Sequence, residues 1–89
     1  MYNAQQLQKK LPMDVRFDKH FDEVEVLHDS FIDDDGILCI SAENGTYAID
    51  YYGEFRDGYP YIAESLQKFA QDNNGHFEWK NPGCIAFYQ

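Results

Sequence analysis

Three histidines, two cysteines and sixteen acidic residues are the groups in this 89-residue sequence best equipped for chemistry. The densest run is Asp33-Asp34-Asp35-Gly36, which invites a calcium reading. An EF-hand loop needs oxygen ligands at positions 1, 3 and 5, glycine at 6 and glutamate at 12. With Gly36 at position 6, Asp33 and Asp35 fall at 3 and 5, but Phe31 and Ala42 fall at 1 and 12. Neither of those side chains can ligate, so an EF-hand is excluded. A looser cation site using Asp29, Asp33 and Asp35 is what the acidic run still allows.

His20, His28 and His76 stand at no zinc-ligand spacing with Cys39 or Cys84. They are expected at the surface or within a sheet. A cysteine nucleophile needs a neighbouring base or another device that lowers its pKa. Cys39 is expected to face Asp50 across a hairpin, which opposes thiolate formation, and Cys84 has no charged residue beside it. Both read as small apolar strand residues carrying reduced thiols. Ser30, Ser41 and Ser65 lie in no nucleophile-elbow pattern, and the glycines at 53 and 58 flank no Lys-Ser/Thr pair. No catalytic residue, metal or cofactor is assigned.

The segment 47–61, YAIDYYGEFRDGYPY, gathers aromatic residues around Arg56. Tyrosine, phenylalanine and arginine are enriched at recognition surfaces, where they offer large contact area with a polar handle. Tyr52, Phe55, Arg56, Tyr59 and Tyr61 are therefore candidate binding residues. The competing reading folds this loop back so that its rings complete the core of a small domain.

Charge is unevenly spread. The net charge is −9. Residues 1–13 hold Lys9 and Lys10 and no acids, whereas residues 14–35 hold nine acids against Arg16 and Lys19. Asp22, Glu23, Glu25, Asp33, Asp34 and Asp35 are candidates for an acidic face. Such a field repels phosphate backbones, which disfavours direct nucleic-acid binding, and attracts basic partners. Solubility alone also explains an acidic surface.

The elements that must position these groups follow from local rules. A short helix is expected over 4–11, capped by Asn3 with Gln6 as reciprocal partner and stopped by Pro12. Residues 14–28 alternate as one interrupted strand or two short ones, with Val15 and Phe17 pointing one way. A loop or turn follows over 29–36. Asn44-Gly45 favours a type I′ turn, which predicts Ile40 opposite Ile49 and Leu38 opposite Tyr51. A second helix is expected over 60–73, starting at Pro60, with Ile62, Leu66, Phe69 and Ala70 on one buried stripe. Asn73-Asn74-Gly75 supplies its left-handed stop. A final hairpin turns at Asn81-Pro82-Gly83 and pairs Trp79 with Ile85 and Phe77 with Phe87. Its second strand, 84–88, is apolar on both faces, as befits a central strand or an edge covered by another chain.

Together these predict a single α+β domain over 1–89. It has a mainly antiparallel sheet of four to five strands built from two hairpins, with two helices packed on one face. No apolar run approaches the length of a membrane span and the N-terminus is polar, so a cytoplasmic protein is expected. The function expected is non-enzymatic: a small acidic binding or inhibitory protein recognising a basic protein surface. The alternatives are a self-associating protein (a homodimer) or a small-molecule or cation site on the 53–61 or 29–35 loop.

Overall fold

A computed structural model describes residues 2–43, 46–52 and 60–89. The order is α1 (Ala4–Lys10), β1 (Asp14–Phe17), β2 (Glu23–Val26), β3 (Ser30–Ile32), β4 (Leu38–Ser41), β5 (Ile49–Asp50), β6 (Tyr61–Ile62), α2 (Glu64–Asp72), β7 (His76–Asn81) and β8 (Cys84–Tyr88). Four strands form the central antiparallel sheet in the order β3-β4-β8-β7. Two two-stranded ribbons, β1-β2 and β5-β6, flank it. The fold is α+β, as expected, and no helix among the described residues is long and apolar enough to cross a membrane.

Local chemistry explains the clearest elements. The α1 helix opens with a capping box: the Gln6 amide donates to Asn3 Oδ1 at 2.8 Å, and the Asn3 amide donates to Gln6 Oε1 at 2.9 Å. Lys9 and Lys10 occupy its last turn, where the helix dipole favours cations. The final hairpin has the expected pairs, Phe77 opposite Phe87 and Trp79 opposite Ile85, but Asn81 belongs to β7 and pairs with Cys84, so the loop is Pro82-Gly83 alone and a bulge between Trp79 and Asn81 takes up the extra residue. Asn81 Oδ1 accepts the Gly83 amide at 2.8 Å and braces the loop.

Both helices lie against the same side of the central sheet. Leu7 of α1 meets Leu38, Phe87, Phe69 and Ala70 in one cluster. Leu66 of α2 meets Ile40, Ile85, Ala48 and Ile49 in a second. Strands β4 and β8 are buried on both faces, so strand 84–88 is central, with β4 and β7 as its neighbours.

Three further expectations are corrected. The first is the pairing around Asn44-Gly45. That dipeptide lies outside the described residues, and Ile40 stands opposite Ser30 on one side and Ile85 on the other. Both hydrogen-bonding edges of β4 are thus filled. Ile49 pairs with Ile62 instead, and the two isoleucines meet only as packing partners in the core. The alternating pattern selects which face is buried, and any antiparallel neighbour with an apolar face satisfies it. The second is the 29–36 loop, where Ser30–Ile32 is a strand and Asp33–Gly36 is the tight turn of the β3-β4 hairpin. The Gly36 amide donates to the Asp33 carbonyl at 3.0 Å, and Gly36 takes a left-handed φ of 76°. The third is the start of α2. Residues 61–62 are extended and pair with β5, and the helix begins only after Ala63. Pro60 precedes that strand, a position proline tolerates as readily as a helix start.

Asn74, at φ 56°, makes the left-handed turn after α2. Gly75 serves a different need. A Cβ there would lie inside contact distance of the Phe87 ring and the Tyr88 carbonyl oxygen. Backbone cannot yield as a flexible side chain can, so Gly75→Ala is expected to cost about 2–3 kcal/mol. Urea unfolding, with an unchanged slope and an earlier midpoint, checks this.

Candidate functional site

The β1-β2 ribbon is built inside out. Its pairs are Asp14 with Val26, Val15 with Glu25, Arg16 with Val24 and Phe17 with Glu23. Directly opposed residues share a face, so one face carries Asp14, Arg16, Val24 and Val26 and the other Val15, Phe17, Glu23 and Glu25. The alternation is the one expected, but the side bearing Asp14 turns inward. Asp14 is 1% exposed, whereas Val15 and Phe17 are exposed.

A buried carboxylate is costly unless paired and hydrogen-bonded. Asp14 is both. Arg16 Nε donates to Asp14 Oδ2 at 2.7 Å and Thr46 Oγ1 donates to Asp14 Oδ1 at 2.9 Å. Thr46 Oγ1 in turn accepts the Ala48 amide at 3.0 Å. The knot ties the ribbon to the segment leading into β5. Phe17 adds an edge-to-face contact with Tyr47, with ring centroids 5.5 Å apart.

The ribbon ends in a turn held by Asp18, whose Oδ1 accepts the amides of His20 and Asp22 at 2.8 and 3.1 Å. Phe21 sits in this turn at φ 62° and is 85% exposed. A phenylalanine in the left-handed region is strained by roughly 1–2 kcal/mol. Leu27, just beyond β2, is 79% exposed. Asp22, Glu23 and Glu25 are exposed around these apolar residues. Of the predicted acidic face, the ribbon therefore gathers these three.

Asp33, Asp34 and Asp35 occupy the β3-β4 turn instead. Asp34 and Asp35 are exposed. Asp33 is committed: Oδ1 accepts the amides of Asp35 and Ile37, each at 2.9 Å, and Oδ2 accepts from Lys80 Nζ at 2.9 Å. The Lys80 bond, backed by those two amides, holds the Asp33 carboxyl below its ordinary range, and the same bond raises the Lys80 pKa. No group of three or more His, Cys, Asp or Glu side chains among the described residues could hold a metal ion.

The Lys80–Asp33 pair also explains the thiols. Cys39, Cys84 and Ala86 form a small cluster on the sheet face away from the helices. Lys80 Nζ lies 4.0 Å and Asp33 Oδ2 3.8 Å from Cys39 Sγ, so the ion pair straps across that face. Cys39 faces Asp33 and Lys80 rather than Asp50. Burial pushes its thiol up to about 11 against the pull of the Lys80 charge, and burial raises Cys84 too. Both cysteines are free and buried.

Of the aromatic candidates, Phe55, Arg56 and Tyr59 lie outside the described residues. Tyr52 is exposed and stacks edge-on against Tyr51, centroids 5.2 Å apart; Tyr51 leans in turn on Trp79. Tyr61 is half-buried in β6, next to the core. The described members are thus divided between surface and sheet.

His20 and His76 are exposed, but His28 is buried, at 7% exposure, in the turn from β2 to β3. Neither of its ring nitrogens has a hydrogen-bond partner among the described residues. Burial lowers its pKa; the Asp14 charge opposes that shift and the Arg16 charge adds to it. Sequence reasoning missed Asp14, Thr46, His28 and Lys80. Their partners lie on other elements, and no local spacing announces them.

Comparison with protein-family models, curated proteins and solved structures finds no match.

Two measurements test this chemistry. At pH 7.5 the folded protein is expected to react negligibly with a thiol-specific disulfide reagent, while the unfolded chain releases both thiols. The His28 imidazole gains a proton more readily unfolded than folded. Its contribution to stability is therefore intact above the unfolded value of about 6.5 and declines as pH falls from there toward the folded pKa. His28→Phe removes that decline, and thermal melts between pH 5 and 8 read it.

Proposed function

We propose that this protein is a non-enzymatic binding protein whose β1-β2 ribbon docks onto a basic protein surface with an apolar centre. One observation carries the reading: the outward face sets exposed Val15 and Phe17 directly against exposed Glu25 and Glu23, beside a strained and exposed Phe21. Apolar side chains set among mostly acidic charges, with Lys19 in the same turn as the exception, combine a contact area with steering toward the opposite sign. The geometry of Phe21 adds support. Strain is tolerated where a side chain must be held out, and a turn serving only to reverse the chain would be easier with glycine there.

The acids set the partner's chemistry. Asp22, Glu23 and Glu25 are exposed, and in a chain of net charge −9 they attract lysine- and arginine-rich surfaces and repel phosphate. A second copy of the chain is a poorer fit, because an isologous contact would set these acids against themselves. Strand β8 offers no edge for such a contact, since both of its sides are paired.

Affinity capture with the immobilised protein at low ionic strength is expected to retain a basic protein. The double variant Glu23→Lys/Glu25→Lys and the single variant Phe21→Ala should each weaken retention by about tenfold or more. Raising the salt should weaken the wild type and leave the charge-reversed variant little changed. The reading fails if wild type and charge-reversed protein retain the same set, or if retention ignores salt.

A further inference from the structure

The central sheet has two edges, and they are finished differently. Along β3, helix α1 packs against the strand and Gln8 Nε2 donates to the Ser30 carbonyl at 3.4 Å. Along β7, no described strand pairs on the side away from β8. We propose that two copies of this chain pair antiparallel along β7, with Trp79 opposite its own counterpart on a two-fold axis, so that the two central sheets join into one.

Backbone geometry shows which groups await a partner. Along an antiparallel strand, residues turn their amide and carbonyl to one neighbouring strand and the other in alternation. The Ala42 amide donates to the Gly83 carbonyl at 2.8 Å, so Gly83 and, two residues on, Ile85 are turned toward β4. Ala86 and Tyr88 are then turned toward β7, where they stand opposite Glu78 and His76. That leaves the amides and carbonyls of Phe77 and Trp79 directed at the outer edge. Such a row is a template for another strand.

Side chains select the occupant. Phe77 and Trp79 pack on the helix side of the sheet, whereas Glu78, opposite Ala86, lies on the side that Lys80 crosses to reach Asp33. With Trp79 opposite itself, Glu78 of each copy stands opposite Lys80 of the other. The order Glu-Trp-Lys is its own antiparallel complement, and the axis generates two ion pairs. Both fall at non-hydrogen-bonded positions, where Cα atoms are about 4.5 Å apart and side chains lie closest. Lys80 Nζ can keep its bond to Asp33, because an ammonium carries three donors. Glu78 is exposed, and its ionic neighbour within the chain is His76 at 3.7 Å.

Other registers fit less well. Phe77 opposite Trp79 would set Glu78 against Glu78, and like charges directly opposed destabilise a ladder. Phe77 opposite itself would run the ladder into Asn74, whose φ of 56° is not extended. The bulge between Trp79 and Asn81 and the lysine on the edge are devices that discourage casual pairing. A counterpart bearing Glu78 meets that lysine with the opposite charge. The strand has six residues. That is short of the about 800 Å² per partner of a stable interface, so a dissociation constant of about 0.1 mM is expected. This edge shares no residue with the β1-β2 ribbon, so the two proposals stand or fall separately.

Sedimentation equilibrium of the wild type between about 10 µM and about 1 mM is expected to show a monomer–dimer equilibrium. Over the same range, hydrogen exchange at the Phe77 and Trp79 amides should slow, while exchange in the β1-β2 ribbon stays constant. Glu78→Lys and Lys80→Glu should each weaken dimerisation by about tenfold or more. Mixed in equal amounts, these two variants should pair with each other, because each supplies the charge the other lacks. A strict monomer at the highest concentration overturns the proposal. So does a dimer unchanged in Glu78→Lys, a mixture that fails to pair, or protection that arises outside β7. Should Lys80→Glu not fold without its Asp33 bond, Glu78→Lys and the amide exchange decide the matter.

Discussion

The pairing of β4 with β8 is the contact on which the rest of this molecule depends. It joins segments about half the chain apart, setting Ile40 against Ile85 and Cys39 against Ala86. Both strands are buried on both faces, and the two faces are filled differently. Toward the helices stand Leu38, Ile40, Ile85 and Phe87, which anchor the two large core clusters. Away from the helices stand Cys39, Cys84 and Ala86. Small side chains there leave room for one long side chain, that of Lys80, to cross the strands and reach Asp33. The Lys80 methylenes and its ion pair share the cover of that face with the partly buried Ile37 and Tyr88.

Polar burial plays a matching part at the periphery. Asp14 is held by Arg16 from its own strand and by Thr46 from a segment 32 residues away. Shifting the ribbon by one residue would bury Val15 and turn Asp14 away from Thr46, with Arg16 travelling along on the same face. The bonds that anchor the ribbon are therefore also what turns its apolar face outward. Anchor and display are two sides of a single two-stranded ladder.

Features that depend on neighbours in sequence were legible from the start. The capping box at Asn3 and Gln6, the stripe Leu66, Phe69 and Ala70, and the pairs Phe77–Phe87 and Trp79–Ile85 of the last hairpin all follow from local spacing. What escaped was choice of partner. The apolar alternation of 38–42 fits β3 and β8 as well as it fits 47–51, and nothing local ranks them. Pro60 is compatible with a helix start and with a strand edge, and pairing of β5 with β6 decides it. At the candidate site, the exposure of Asp22, Glu23 and Glu25 agrees with their charge. The burial of Asp14 and His28 runs against residue type and is visible only once distant elements meet.

The position of β8 bears on how the molecule is made. It fills the middle of the central sheet, yet it follows every other described strand in the chain. During translation the hairpin of β3 and β4 emerges with one flank bare, and that flank is apolar. Local turns and helices can form as they leave the ribosome, but the layer they pack on closes only when residues 84–88 arrive. Until then the open edge is a template for other nascent strands. The central sheet therefore cannot close before residues 84–88 are made.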